Sequence, residues 1–266
     1  MRRATIAMSV VILVIAGIAY GAVSLWHSYD NHINAGCTFG AFSTDTSQAN
    51  IAASMVSVVV TRQLPERAAV LVLAAGLQES KLRNIASGSG DRDSVGVLQQ
   101  RPSQGWGTEA QLSDVTFATG AFLDRLVKTA GWETLPLARA IQNVQISADE
   151  DAYAKHEDRA QAIADGLTGA TPRGISCRFG APSKTATSAS VASSLSAALP
   201  VNPPTVDGRQ ITVPGASSAT AAWFVANADH YGIDSVTYDG ARWKRTEGWR
   251  NDKSAGTGAV IATMHD

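Results

Sequence analysis

Residues 66–84 read ERAAVLVLAAGLQESKLRN. Pro65, just before, suits a helix first turn, and Glu66 follows where the helix dipole is positive. From Ala68 to Leu77 every residue is apolar or glycine. A helix without a polar face has to be enclosed by other elements, so this run predicts a buried helix. Glu79 stands at its end. Residues 84–96, with three glycines among Ser and Asp, predict a loop or short hairpin directly after it. A carboxyl held against apolar walls loses hydration, which favours its protonated form near neutrality. A general acid acting on a glycosidic oxygen needs that proton. On spacing alone, an ordinary solvated glutamate at a helix end is the plain alternative.

Helical signals continue on both sides. Upstream, Ile51, Met55, Val58 and Val59 fall at helical spacing from about Gln48. Downstream, Ser113 is a candidate cap for a helix holding Phe117, Phe122, Leu123 and Leu126, with Gly131 as its stop. Pro136 opens another through Ile146. Asp149 opens a last one through Leu167, closed by Gly169 and Pro172. Residues 48–178 therefore read as a mainly α domain. Residues 27–47 read as a polar stalk, and 179–204, rich in Ala, Ser, Thr and Pro, as a linker. Residues 205–266 regain Trp, Tyr and charge and read as a second, small α/β domain. A helix is expected over Ala221–Tyr231, and strands within Val236–Trp249 around the turn Asp239-Gly240.

The N-terminus bears on compartment. No charged residue occurs from Ile6 to Leu25, and Arg2 and Arg3 precede the run. About 20 apolar residues match the ~30 Å hydrocarbon core, and positive flanks stay cytoplasmic. Residues 1–26 are thus expected to be a cytoplasmic tip and a transmembrane helix, with Trp26 and Tyr29 at the interface and the bulk outside the cell. A cleaved signal peptide, with Ala19 and Gly21 before the cut, is the rival reading. Both export the chain. In an exported chain Cys37 and Cys177 can form a disulfide around the first domain; two free thiols are the alternative. A net charge of −1 supplies no basic field for nucleic acid.

Glu79-Ser80-Lys81-Leu82-Arg83-Asn84, followed by Gly96-Val97-Leu98-Gln99-Gln100-Arg101-Pro102, resembles the Glu-Ser and Gly-Leu-Met/Phe-Gln signatures of lytic transglycosylases of the lysozyme-like superfamily. The run Asp91–Trp106 is similar to a group of exported actinobacterial proteins of that kind. The resemblance covers about residues 48–168 and implies a lysozyme-like fold for the α domain. It implies that Glu79 is the catalytic acid, that Ser80 supports it, and that Gln99 lines a sugar groove with Gln100 beside it. The family's third signature, Ala-Tyr-Asn-x-Gly, is missing. Ala140-Ile141-Gln142-Asn143-Val144-Gln145 occupies its place, with Tyr153 later, so Gln142, Gln145 and Tyr153 are candidate groove residues.

The implied substrate is peptidoglycan. Glu79 would protonate the oxygen between N-acetylmuramic acid and N-acetylglucosamine, then as carboxylate deprotonate the muramoyl C6 hydroxyl, leaving a 1,6-anhydro end. That route needs no cofactor, metal or second carboxylate. A muramidase-type hydrolysis usually needs one, for which Asp91 and Asp93 are candidates; loop solubility and turn geometry are their plainer explanation. The departure from the third signature also leaves open a weakly catalytic wall-binding module, or a component of an envelope, secretion or conjugation complex. Trp106 and Trp132 suit sugar stacking or core packing equally, and Trp223, Trp243 and Trp249 suit a binding face or a small core. His27, His32, His156, His230 and His265 are scattered without a zinc pattern, and no G-x-S-x-G nucleophile motif occurs.

Overall fold

The computed structural model describes residues 16–23, 35–88, 92–145, 152–182, 184–215 and 217–266. Helix α1 (Thr46–Thr61) begins at a reciprocal capping box. Asp45 accepts the Gln48 N–H at 2.8 Å, and the Asp45 N–H donates to the Gln48 side chain at 2.9 Å. Helix α2 (Glu66–Ser80) is enclosed as its composition requires, with every residue from Ala68 to Leu77 buried. A one-turn α3 (Glu109–Leu112) precedes α4 (Val115–Leu126), which Asp114 rather than Ser113 caps. Helices α5 (Leu137–Gln145) and α6 (Glu157–Thr168) complete the shell: α1, α4, α5 and α6 all pack on α2. Each of its buried Val and Leu side chains contributes about 1.5–3 kcal/mol relative to exposure.

Two antiparallel sheets flank this bundle. The smaller has the order β2-β1-β3, from Phe42–Thr44, Gly36–Phe39 and Ile175–Arg178. Cys37 lies opposite Cys177 in the β1–β3 register, and the two form a disulfide. The larger sheet has the order β4-β5-β9-β6-β7-β8, from Thr205–Asp207, Gln210–Pro214, Ala259–Met264, Ile233–Tyr238, Ala241–Lys244 and Gly248–Asn251. Helix α7 (Ser188–Ala198) lies within the stretch expected as a linker and buries Val191 and Leu195. Helix α8 (Ser218–Ala226) is buried throughout and packs against α6 and β3, and a short α9 (Ala228–Tyr231) follows.

The two sheets are stitched by side chains. The Trp243 indole N–H donates to the Cys177 carbonyl at 2.9 Å, and the Trp249 N–H to the Ile175 carbonyl at 2.8 Å. These bonds satisfy backbone acceptors on β3. Arg245 is buried and donates to the carbonyls of Gly180, Ala228 and Ile233 and to Asp229. Residues from Cys37 to Met264 join one contiguous apolar core.

Two expectations are corrected. The fold is not a mainly α, lysozyme-like domain behind a transmembrane helix with a small α/β appendage: it is about 46% helix and 19% strand, with sheets of 3 and 6 strands. The stretch expected as a stalk holds β1 and β2, because Cys37 and Phe39 alternate inward over only four residues, too short a pattern for periodicity to register. The single-pass anchor is also corrected, and the orientation that rested on it, a cytoplasmic N-terminus and an extracellular bulk, loses that support. No helix among the described residues is long and apolar enough to cross a membrane. Within Ile6–Leu25 the described helical part is residues 16–23. The rest of that run, with Arg2, Arg3, Trp26 and Tyr29, lies outside the described residues, as does Asp149.

The disulfide closes a loop across a sequence separation of 140. On the chain-entropy argument such a link contributes about 5 kcal/mol by restricting the unfolded chain. The paired replacement Cys37→Ser, Cys177→Ser is expected to lower the urea midpoint markedly while the circular dichroism of the folded state is kept. An unchanged midpoint would show that the link is not formed.

Candidate active site

Glu79 sits in the last turn of α2. Immediately after Ser80 the chain turns sharply: Lys81 and Leu82 both adopt left-handed backbone at φ +57°. The Leu82 N–H returns to the Gly76 carbonyl at 3.0 Å and the Lys81 N–H to Leu77 at 3.1 Å, closing the helix end. Leu82 folds back over Gly76, where a Cβ would lie 2.9 Å from the Leu82 side chain, so a larger residue would have to displace it. The Gln48 amide donates to the Lys81 carbonyl at 2.7 Å, and Arg83 pairs with Asp45, which fastens this end of α2 to the start of α1.

Ser80 is buried and faces the next segment rather than Glu79. Its hydroxyl donates to the Val97 carbonyl at 2.7 Å, lies 3.1 Å from the Gly76 carbonyl, and accepts the Arg83 N–H at 3.0 Å. Ser80 thereby clamps a tight turn in which Val95 and Gln100 exchange backbone hydrogen bonds at 2.9 and 3.1 Å. Gly96 is required there: at φ +80°, a Cβ would fall 2.2 Å from the Leu112 carbonyl oxygen. Gln99, half-buried at φ +47°, bonds back to the Gly96 carbonyl at 2.9 Å. Gln145 reaches the same turn from α5, donating to the Leu98 carbonyl at 3.0 Å, and Gln142 lies half-buried one helical turn earlier. Gln100 does not face a groove. It is 1% exposed and its amide donates to the Ala118 carbonyl of α4 at 3.2 Å.

Tyr153 makes the direct contact with the candidate acid. Its phenol donates to Glu79 Oε1 at 2.7 Å, and Oε2 makes no hydrogen bond among the described residues. The Glu79 pKa is raised from its ordinary 4.5: burial is the larger cause, and the Tyr153 hydrogen bond opposes it. One residue earlier, Gln78 Oε1 lies 3.0 Å from His156 Nε2, so Tyr153 and His156 face Glu79 and Gln78 as a matched pair. Burial, aided by Lys155 and Arg159, pushes the His156 pKa down. Sequence reasoning missed His156; the i, i+3 spacing of Tyr153 and His156 was the available signal.

The two candidate second carboxylates fare differently. Asp91 lies outside the described residues. Asp93 is held well below the usual carboxylate range, foremost by Arg101 at 2.7 Å on Oδ1 and by the Ser103 N–H at 2.8 Å on Oδ2. Both oxygens are committed to folding its loop. Trp106 and Trp132 are buried, and the Arg125 guanidinium stacks over Trp106 at 3.3 Å from the ring centre, so neither offers a free face to a sugar. Cavities of about 720 Å³, between α1, α4, α7 and α8, and about 710 Å³, at the junction of the two sheets, lie elsewhere, and Glu79 borders neither. Glu79 itself is half-buried. No protein-family model matches the chain, and no curated protein matches it closely enough to serve as a relative.

A raised carboxyl pKa has a stability consequence. Below pH 4.5 Glu79 is protonated in both folded and unfolded chains; above it the unfolded chain ionises first, so stability falls as pH rises through the folded pKa. Glu79→Gln, which keeps the size and an oxygen for Tyr153, is expected to melt higher than the native chain at pH 7 and to lose that advantage near pH 4. Equal differences at both pH values would mean that Glu79 is not perturbed. Tyr153→Phe removes the donor that lowers the pKa, so the Glu79 carboxyl should titrate at still higher pH by carbon-detected NMR. A downward shift would contradict the hydrogen bond.

Proposed function

We propose that this chain cleaves peptidoglycan glycan strands at the bond between N-acetylmuramic acid and N-acetylglucosamine, with Glu79 as the sole catalytic carboxyl. The carrying observation is a half-buried glutamate at the end of a buried helix, its pKa raised and one oxygen held by a phenol. Glu79 would protonate the bridging oxygen as an oxocarbenium-like state develops. As carboxylate it would then take the proton of the muramoyl C6 hydroxyl, whose oxygen attacks C1 and forms the 1,6-anhydro ring. The engagement of both Asp93 oxygens favours this one-carboxyl route over hydrolysis through that residue. Gln99, Gln142 and Gln145, gathered on and beside the turn that Ser80 clamps, are the proposed sugar contacts. The proposal departs from the sequence reading at Gln100, which serves packing instead.

The test uses the full chain and purified peptidoglycan, with mass spectrometry of the released fragments. The native chain is expected to release muropeptides with anhydro ends, and Glu79→Gln to release at least a hundredfold less while still co-sedimenting with the wall. Reducing ends would mean hydrolysis. Wall binding with no release by the native chain would leave a binding module, and full activity in Glu79→Gln would eliminate the mechanism.

A further inference from the structure

Nearly every described arginine has a partner. Arg62, Arg67, Arg83, Arg101, Arg209, Arg242 and Arg245 pair with carboxylates. Arg125 stacks on Trp106, Arg159 donates to the Ser43 carbonyl, and Arg92 and Arg139 are also engaged. Three remain whose side chains make no ion pair or hydrogen bond among the described residues: Arg173, Arg178 and Arg250. All three line the same cleft of about 710 Å³.

The topology that brings them together is the seam between the sheets. Arg178 ends β3 and is exposed, while its neighbours Ile175 and Cys177 alternate inward. Arg173 lies in the turn before β3, at φ +57°. Arg250 comes from β8, which packs on β3, and Trp249 beside it is fixed by its indole bond to Ile175. One acid, Glu247, lines the cleft, and it is already paired with Lys244 at 3.3 Å. Thr44, also in the lining, is buried with a hydroxyl that makes no hydrogen bond among the described residues. In a chain of net charge −1, three uncompensated guanidiniums in one concavity make a local field opposite in sign to the whole.

We infer that this cleft is a binding site for a phosphate group carried on a larger organic molecule. Each guanidinium offers a planar fork of donors, and one fork is enough for the two oxygens of a carboxylate. Three forks match an acceptor with more oxygens and close to two charges, as a phosphate monoester has. The half-buried Trp249 gives the wall an aromatic surface for the attached organic part. The site is separate from Glu79 and does not depend on the proposed glycan chemistry. Such a phosphate has two sources, a soluble organophosphate or a lipid headgroup.

Calorimetry of the full chain with inorganic pyrophosphate, and with citrate as the carboxylate comparison, tests the inference. Pyrophosphate is expected to bind saturably, one per chain, at least tenfold more tightly than citrate. Arg178→Ala with Arg250→Ala should weaken it tenfold or more. The matching lysine replacements, which keep charge but lose the fork, should fall between, and they serve if the alanine variant does not fold. Arg209→Ala, whose partner Asp266 lies outside the cleft, should leave it unchanged. Sedimentation with vesicles containing phosphatidic acid, a phosphomonoester lipid, against vesicles of the phosphodiester phosphatidylglycerol separates the sources. An excess on phosphatidic acid that pyrophosphate displaces and the variants abolish assigns the phosphate to a lipid; pyrophosphate binding without that excess assigns it to a soluble molecule. No saturable pyrophosphate binding, equal affinity for citrate, or binding indifferent to the arginine changes would overturn the inference.

Discussion

A helix with no polar face has to be surrounded, and the enclosure of Glu66–Ser80 shapes its whole neighbourhood. Four other helices cover it, and its only route to polar surroundings is through its ends. The C-terminal end is where the carboxyl sits. Because the apolar run stops at Leu77 and the chain reverses at Lys81, Gln78, Glu79 and Ser80 occupy the boundary between core and exterior. Ser80 turns inward to bind the Val97 carbonyl, Gln78 meets His156, and Glu79 meets Tyr153. The position of the acid is therefore a consequence of where burial ends. It is reinforced by two left-handed residues whose strain, of order 1–2 kcal/mol each, the surrounding contacts offset.

Covalent and polar links carry that order outward. The disulfide joins the strand before α1 to the strand after α6, so the helices around α2 lie within a closed loop. The second sheet docks on that same strand through Trp243 and Trp249, and Arg245 satisfies three backbone carbonyls at the seam. Deleting such a buried donor set removes a partner from each carbonyl, Ala228 keeping its bond from the Gly232 N–H, and a buried carbonyl left unpaired costs about 1–3 kcal/mol. The C-terminal tryptophans thus serve the junction between sheets, with Trp243 wholly buried and only Trp249 partly open to the arginine cleft.

Signals confined to a few consecutive residues were readable in advance. The apolar run of α2, the left-handed Gly169 that ends α6 at φ +85°, and the Asp239-Gly240 turn at φ +46° and +68° all announce themselves locally. The end of α2, where Glu79 sits, belongs to this group; the contact of Ser80 with the Val97 carbonyl, in place of the expected support of Glu79, does not. What the sequence concealed was non-local. The β1–β3 pairing joins residues more than a hundred positions apart, as in the Thr38 to Ser176 bond across a separation of 138, and strands of four residues leave little periodicity. Gln100 was misread for a different reason. The bridge between Val95 and Gln100 closes a turn so tight that adjacent glutamines diverge, Gln99 toward the surface and Gln100 into the core. Small residues such as those of Ser188–Ala198 read as linker by composition, yet their few apolar members suffice to seat a helix once neighbouring surfaces are in place.

The balance of forces on Glu79 bears on the chemistry proposed for it. A single carboxyl that first gives and then takes a proton works best when neither state is much favoured at the working pH. Burial alone pushes one way: it disfavours the charged form, and a fully enclosed carboxyl would keep its proton and fail as a base. The Tyr153 phenol acts in the opposite sense, since a donor to Oε1 stabilises the carboxylate more than the neutral acid. Because the phenol occupies Oε1, it tempers the pKa and leaves the proposed route to run through Oε2. On the proposed route both steps then become accessible to the same side chain, because a phenol reaches the acid from residue 153, eight positions beyond Gln145, by way of a turn leading into α6.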